Sequence, residues 1–250
     1  RMLGSSNSIA CANIMLNAAV AESLKIYADR LEKAEDFETA LHEMIRKTIK
    51  DHKRIIFNGN GYNDVWIKEA TEKRGLLNYR TTADCIPHLL DKKNVDMLTA
   101  HKVFTKAELK SGCEITLDNY CKTILIEANS MDIMASCEIA PAFEAYIKDL
   151  AQTASLKKSV MEEISVVYES SLLKKLSVLT ERIFIATDEL ENALLNMEEY
   201  ENVIDESAAI RDVLLAKMNE LRVVCDEAET LTAKIYWQFP SYGDLLFGVR

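Results

Sequence analysis

Chemistry in this chain has to start from a handful of side chains. Arg1 stands at its head, in Arg1-Met-Leu-Gly-Ser-Ser-Asn-Ser-Ile-Ala10. Its guanidinium is always charged and forked to suit carboxylate or phosphate oxygens. Gly59 and Gly61 close the run Arg54-Ile-Ile-Phe-Asn-Gly-Asn-Gly-Tyr62, and glycines at that spacing could bring backbone N–H groups close to a phosphate. The run lacks the third glycine and the Lys-Ser/Thr of known phosphate loops, so it reads as a turn into the next helix. Cys85-Ile-Pro-His88 has the spacing of half a zinc site; no second Cys or His pair lies near it in sequence, which favours a structural role. His42-Glu43 is followed by Arg46 instead of a second His, and the metalloprotease pattern fails. Glu127 and Asp132 are carboxylates that could do acid–base work, although on an exposed helix they read as surface charge. The histidines are dispersed, with no nucleophile–base–acid order among them.

These residues must be carried almost entirely by helices. The opening reads as a strand end (Arg1 to Leu3), a polar turn (Gly4 to Asn7) and a helix capped by Asn7 or Ser8. A chain that opens by leaving a strand is expected to begin inside a domain. Leu16, Val20, Leu24, Tyr27 and Leu31 then share one helical face. A second helix starts near Asp36, with Phe37, Leu41, Met44, Ile45 and Ile49 apolar and a basic opposite face read as solvated. Asn63 and Gly75 bracket a third, around Val65, Trp66 and Ala70. Thr81 or Thr82 begins a short helix with Pro87 near its start. Thr105-Lys-Ala-Glu108 is a capping box, opening a long helix whose stripe is Leu109, Cys113, Leu117, Tyr120, Ile124, Ala128, Met131 and Met134. Pro141 should kink or interrupt it near Cys137.

From Ala142 to Phe239 there is no Gly and no Pro, which predicts long helices. Leu173, Leu176, Thr180, Ile183, Thr187, Leu190, Leu194 and Met197 form a heptad-like series, answered by Met218, Leu221, Cys225, Ala228, Thr232 and Ile235. This predicts an antiparallel hairpin with its turn near Asn202 to Asp205 and Asp205 as cap, packed inside a bundle. The aromatic tail Tyr236 to Phe247 should dock on its own bundle or on a neighbouring subunit.

Bulk composition narrows the classes. The 250 residues carry a net charge of −10, against a phosphate-backbone binder, which needs a basic face. No apolar run approaches the ~20 residues of a membrane span. Six scattered cysteines without a CxxC pair fit a reducing compartment, so a cytoplasmic location is expected.

Four segments together resemble the C-terminal part of type III glutamine synthetases. Arg1 to Ala10 is similar to the family's Phe-Glu-Phe-Arg-Met-hydrophobic-Gly-Ser-Ser stretch, followed by the Asn13 to Asn17 helix core. Ile56 to Tyr62 with Trp66 and Ala70, Lys102 to Leu109, and Phe239 to Phe247 resemble further type III segments. The resemblance implies a mainly α chain: residues 1–103 as the end of the catalytic domain and 104–250 as a C-terminal helical bundle with a long antiparallel hairpin. It implies a full-length ligase that joins glutamate and ammonia with ATP through γ-glutamyl phosphate, using Mg2+ or Mn2+, in a homo-oligomeric ring, commonly a dodecamer. Arg1 matches the family's late glutamate-binding arginine. The metal-binding Glu two residues before it lies outside the chain, as do the nucleotide-binding residues. No catalytic or metal-ligating residue is therefore expected here. The chain alone should be inactive and should bind neither ATP nor metal strongly. Two other readings use the same residues: an all-helical scaffold without catalysis, and a helical module binding a small anion through Arg1 and the Gly59–Gly61 loop.

Overall fold

The computed structural model describes residues 8–248; the expected strand end and turn, Arg1 to Asn7, lie outside them. The described residues hold helices and turns and no strand. They divide into two compact units, at residues 1–116 and 117–250.

In the first unit, α1 (Ala10–Leu31) starts without a side-chain cap at Ile9, although Ser8 Oγ accepts from the Ala10 N–H at 3.2 Å. Helix α2 (Phe37–His52) is capped by Asp36, whose carboxylate accepts from Thr39. Helix α3 (Asp64–Lys68) runs into a π turn at Glu69–Lys73. Asn63 caps its start and Gly75, at φ +63°, closes its end, as sequence predicts. Thr81 caps α4 (Thr82–Cys85), and a 3-10 turn, Ile86–Leu90, carries Pro87 in its first positions. Helix α5 (Lys92–Ala100) ends at Lys102, which takes a left-handed φ of 55°.

The core of this unit is small: Ala18, Leu98 and Leu109, with Met15, Val95 and Phe104 against them. This corrects the expected face of α1. Ala18 and Met15 point inward, whereas Leu16, Val20 and Leu24 are exposed. On α2 only Met44 of the expected face is buried; Phe37, Ile45 and Ile49 are exposed.

The capping box forms as predicted: Thr105 N–H donates to Glu108 Oε2 at 2.7 Å and Glu108 N–H to Thr105 Oγ1 at 3.2 Å. It opens α6 (Lys106–Ile133), which continues through a π turn (Met134–Ile139) into α7 (Ala140–Val160). The π turn lies just before Pro141, where a missing backbone donor was expected to disturb the helix.

The second unit is an antiparallel three-helix bundle. A turn at 161–166 separates α7 from α8 (Val167–Met197). It is built without Gly or Pro, and Lys157 and Glu169 pair across it. Helix α9 (Val203–Ala209) passes through a third π turn, Ile210–Leu214, into α10 (Leu215–Leu231). Asn202 accepts from the Asp205 N–H and is the cap, correcting Asp205. Arg182 pairs with Glu227 and Glu189 with Lys217; the rising and falling numbers show that α8 and α10 run antiparallel.

One end of this core joins Cys121, Ala128 and Ala135 to Leu190, Ala193, Ile210 and Leu214. The other joins Phe143 and Leu150 to Leu176, Leu179, Ile183, Val224 and Ala228. On α8 the buried series is Leu176, Leu179, Ile183, Ala186, Leu190, Ala193 and Met197. Thr180, Thr187 and Leu194 are half-buried beside it. Both threonine hydroxyls donate back to carbonyls four residues earlier, at Leu176 and Ile183. On α10 Val224 takes the central place assigned to Cys225, and Ile235 is exposed because the helix ends at Leu231.

The tail α11 (Tyr242–Phe247) starts in a capping box between Ser241 and Asp244. The residues before it dock on the bundle of their own chain. Trp237 and Phe239 pack on the core, and Tyr236 donates to Asp149 with its ring 5.1 Å from that of Tyr146.

Candidate functional site

Arg1, the substrate-binding residue expected from sequence, lies outside the described residues. What the structure does describe is the glycine loop and its surroundings, from Arg54 to Gly75. A 3-10 turn at Lys53–Ile55 leads into an extended run. Phe57 stacks on Trp66 of α3, with ring centroids 3.6 Å apart. The Arg74 guanidinium lies 4.8 Å from the centroid of Trp66, close enough for a cation–π contact. It donates to Glu69 Oε1 through Nε and Nη2 at 2.9 and 2.7 Å. Its Nη1 donates to the carbonyls of Arg54 and Ile56 at 3.1 and 2.9 Å. One planar cation thus ties the start of the loop to the end of the helix it enters. The fork, the charge and the stacking are all used, which is why arginine suits the position better than lysine.

Gly59 sits at φ +156°, and a Cβ there would meet the Phe57 ring at 2.8 Å. Its missing side chain makes room for this ring, a structural role that accounts for the glycine without a phosphate. At Gly61 a side chain would meet nothing within 4 Å beyond its own chain neighbours. The loop is the turn that its sequence implies, held by an Arg–aromatic clasp that periodicity could not reveal. The only advance sign was one basic and two aromatic residues clustered around a glycine turn.

The other candidates do not assemble. His88 Nδ1 is 3.0 Å from Asp91 Oδ2, and its ring stacks on Tyr79 at 4.4 Å; Cys85 is exposed. Glu127 is exposed on α6, while Asp132, five residues on, is half-buried and faces a different cavity. The presumed acid pair is therefore split.

Asp132 instead shares a cavity of about 540 Å³ with Glu191, Glu198 and Glu206, beside Leu125 and Leu194. Burial pushes the Asp132 carboxyl above the ordinary carboxylate range. Glu206 is raised as well, first by burial and then by the nearby Asp118, with Lys122 opposing. This grouping joins α6, α8 and α9, and such long-range neighbours leave no local spacing in a sequence.

Among the described residues no three His, Cys, Asp or Glu side chains come together as a metal ion would require. The described donor set therefore does not fit a divalent metal. The buried Cys121 and the half-buried Cys225 are also poor nucleophiles, since burial pushes each thiol up to about 11. Among the described residues no helix is long and apolar enough to cross a membrane.

Residues 40–159, from α2 to the end of α7, match the family described as the glutamine synthetase C-terminal domain. A glutamine synthetase of Butyrivibrio fibrisolvens is 35% identical over 216 residues, 86% of this chain and 31% of that protein. The chain belongs to the glutamine synthetase family. A type-3 glutamine synthetase of Dictyostelium discoideum is 28% identical over 254 residues, 99% of this chain and 34% of that protein. A glutamine synthetase of Bacteroides fragilis (strain YCH46) is 26% identical over 255 residues, again 99% of this chain and 35% of that protein. The chain spans about a third of the length of these curated relatives. Its place is the C-terminal part of a glutamine synthetase, a clasped helical unit followed by a helical bundle, and the scaffold reading gives way to it.

Proposed function

We propose that this chain is the C-terminal part of an ATP-dependent glutamate–ammonia ligase. The full-length enzyme phosphorylates the glutamate side chain to γ-glutamyl phosphate and displaces phosphate with ammonia. The observation that carries the reading is the 35% identity to a glutamine synthetase across 86% of the chain. ATP and Mg2+ or Mn2+ act in the portion this chain does not span.

Within this reading Arg1 binds glutamate, as its place in the Arg-Met-Leu-Gly-Ser-Ser stretch suggests. Its fixed charge would favour the substrate carboxylate and the phosphoryl oxygens nearby. Residues 1–103 complete the catalytic domain and 104–250 form the type III helical domain. The Thr105–Glu108 capping box opens α6 just after that boundary, while the first turns of α6 pack through Leu109 on the first unit. The enzyme is cytoplasmic and assembles as a homo-oligomeric ring, a dodecamer in the expected geometry. The exposed Leu245, Leu246 and Phe247 of α11 are candidates for subunit contacts.

The test uses the full-length protein with glutamate, ammonia and ATP. Glutamine and ADP should form together. Arg1→Ala should lower kcat/KM by roughly 100-fold, the scale of losing one donor to a developing charge, with the size of the assembly unchanged. Absence of ligase activity in the folded full-length protein would overturn the reading.

A further inference from the structure

Between α6 and α10 the bundle holds a cavity of about 420 Å³, walled by Met131, Met134, Leu221, Cys225, Trp237 and Phe239. Its size falls in the range of small-ligand sites, and like them it is mostly apolar with a few polar groups at one edge. Thioethers and aromatic rings make such a wall adaptable to a ring or a branched chain. A second cavity, of about 470 Å³, shares Met131, Met134 and Arg222 with the first, so the two form one groove. Within the wall the Trp237 indole N–H is buried and has no acceptor among the described residues. An orphaned buried donor of this kind calls for a group that the protein alone does not supply.

The polar edge carries both signs of charge. Arg222, Asp226 and Glu229 line the cavity at i, i+4 and i+7 of α10 and so share one face. Arg222 Nε donates to Asp226 Oδ2 at 3.3 Å. Among the described residues the guanidinium has no other partner, and the Glu229 carboxylate has none. A simple acid would meet two carboxylates here, a simple amine would meet the guanidinium, and a neutral apolar molecule would leave the edge unused. A zwitterion meets each sign with its opposite. Arg222 and Asp226 start about 6 Å apart along the helix axis, so the two charges of the ligand must also lie close together.

We propose that this cavity binds a free α-amino acid with a large apolar side chain. Its carboxylate faces Arg222, its ammonium faces Asp226 and Glu229, and its side chain lies on Met131, Met134, Trp237 and Phe239. The site stands independently of the ligase reading, since all of its groups belong to the helical bundle.

Binding is measured on the full-length protein by equilibrium dialysis with radiolabelled L-phenylalanine, with saturating glutamate present to fill the substrate site. Phenylalanine should bind saturably at millimolar concentration or below, and should slow hydrogen exchange in peptides covering 131–139 and 221–231. Two probes each lack one charge: 3-phenylpropionate has no ammonium and 2-phenylethylamine no carboxylate. Each should bind at least tenfold more weakly than phenylalanine. Arg222→Gln should weaken phenylalanine at least tenfold and leave phenylethylamine unchanged. Asp226→Asn combined with Glu229→Gln should weaken phenylalanine equally and spare phenylpropionate. The Arg222 and Asp226 side chains are 71% and 59% exposed, so these variants should keep the fold, as thermal melts will show. Met134→Trp fills the cavity and should abolish binding. No saturable binding of phenylalanine overturns the proposal. So does binding that Arg222→Gln and Met134→Trp leave unchanged, because the ligand then sits elsewhere. Equal affinity for all three probes overturns the zwitterion assignment. Exchange already slow in both peptides, with no binding, overturns it as well, because a second copy or another part of the polypeptide then fills the groove.

Discussion

The register of α8 can be decided by three substitutions. In the structure Ala193 is buried among Leu190, Met197 and Ile210, whereas Leu194 is half-buried at the margin. Ala193→Leu adds three carbons to a filled layer. Overpacking of that kind costs about 1–3 kcal/mol. Leu and Ala are close in helix propensity, so packing dominates the change. At ~2–4 °C per kcal/mol for a chain of this size, the melting temperature should fall by about 2–12 °C. Leu194→Ala removes a side chain that is only partly covered and should cost about 1–2 kcal/mol. Leu190→Ala, at 0% exposure, is the benchmark at about 2–5 kcal/mol. Had the stripe run through Thr180, Thr187 and Leu194, the order would invert. Ala193→Leu would then point outward and change stability by under about 0.5 kcal/mol, and Leu194→Ala would rival Leu190→Ala. Thermal melts by circular dichroism on the 250-residue chain read all three. A neutral Ala193→Leu beside a severe Leu194→Ala would refute the register.

Three further outcomes follow from the geometry. Gly75→Ala forces a Cβ into a left-handed φ of +63° and should destabilise by about 1–2 kcal/mol, seen as a lower melting temperature. Arg74→Lys keeps a charge but loses the fork to Glu69 and to two carbonyls, and the stacking on Trp66. It should cost about 1–3 kcal/mol and shift the Trp66 emission, monitored with Trp237→Phe as background. Asp132 concerns pH. Its folded-state carboxyl is raised above the ordinary value of 3.8, so between those two values the folded state binds more protons than the unfolded one. Stability from this group is therefore greatest at low pH and declines as pH rises through the raised value. Asp132→Asn should abolish that decline and leave the bundle more stable at neutral pH, checked by melts from pH 4 to 7.

Local chemistry was legible in the sequence wherever one residue acts on its neighbours. Asp36, Asn63, Thr81 and the Thr105–Glu108 box are caps whose partners lie within three residues. Pro141 marked the disturbed helix, and the absence of Gly and Pro marked the long helices. The exact seam of α8 was less legible, because its small Ala186 and Ala193 carry a weaker signal than the larger Thr187 and Leu194 beside them. Ala packs at the closest approach of two helices, where size excludes larger side chains. The turn at 161–166 had no punctuating residue to announce it. The faces of α1 were misassigned for a different reason: both are apolar, and periodicity cannot say which one the chain itself covers. Neither the Arg74 clasp nor the cavity around Asp132 was foreseeable, since each joins residues far apart in sequence.

The π turns at Glu69–Lys73, Met134–Ile139 and Ile210–Leu214 each fit one more residue into a helix than regular winding would hold. Two of them, Met134–Ile139 and Ile210–Leu214, pack on α8. Without the bulge, an extra residue would turn everything downstream by ~100° and pull the buried face off its partner. A gene can therefore gain or lose a single codon at these points while the bundle keeps its contacts. Aligned relatives should show one-residue gaps concentrated at 69–73, 134–139 and 210–214, and almost none along α8. In such an alignment, α8 is the fixed ruler against which its neighbours have been allowed to change length.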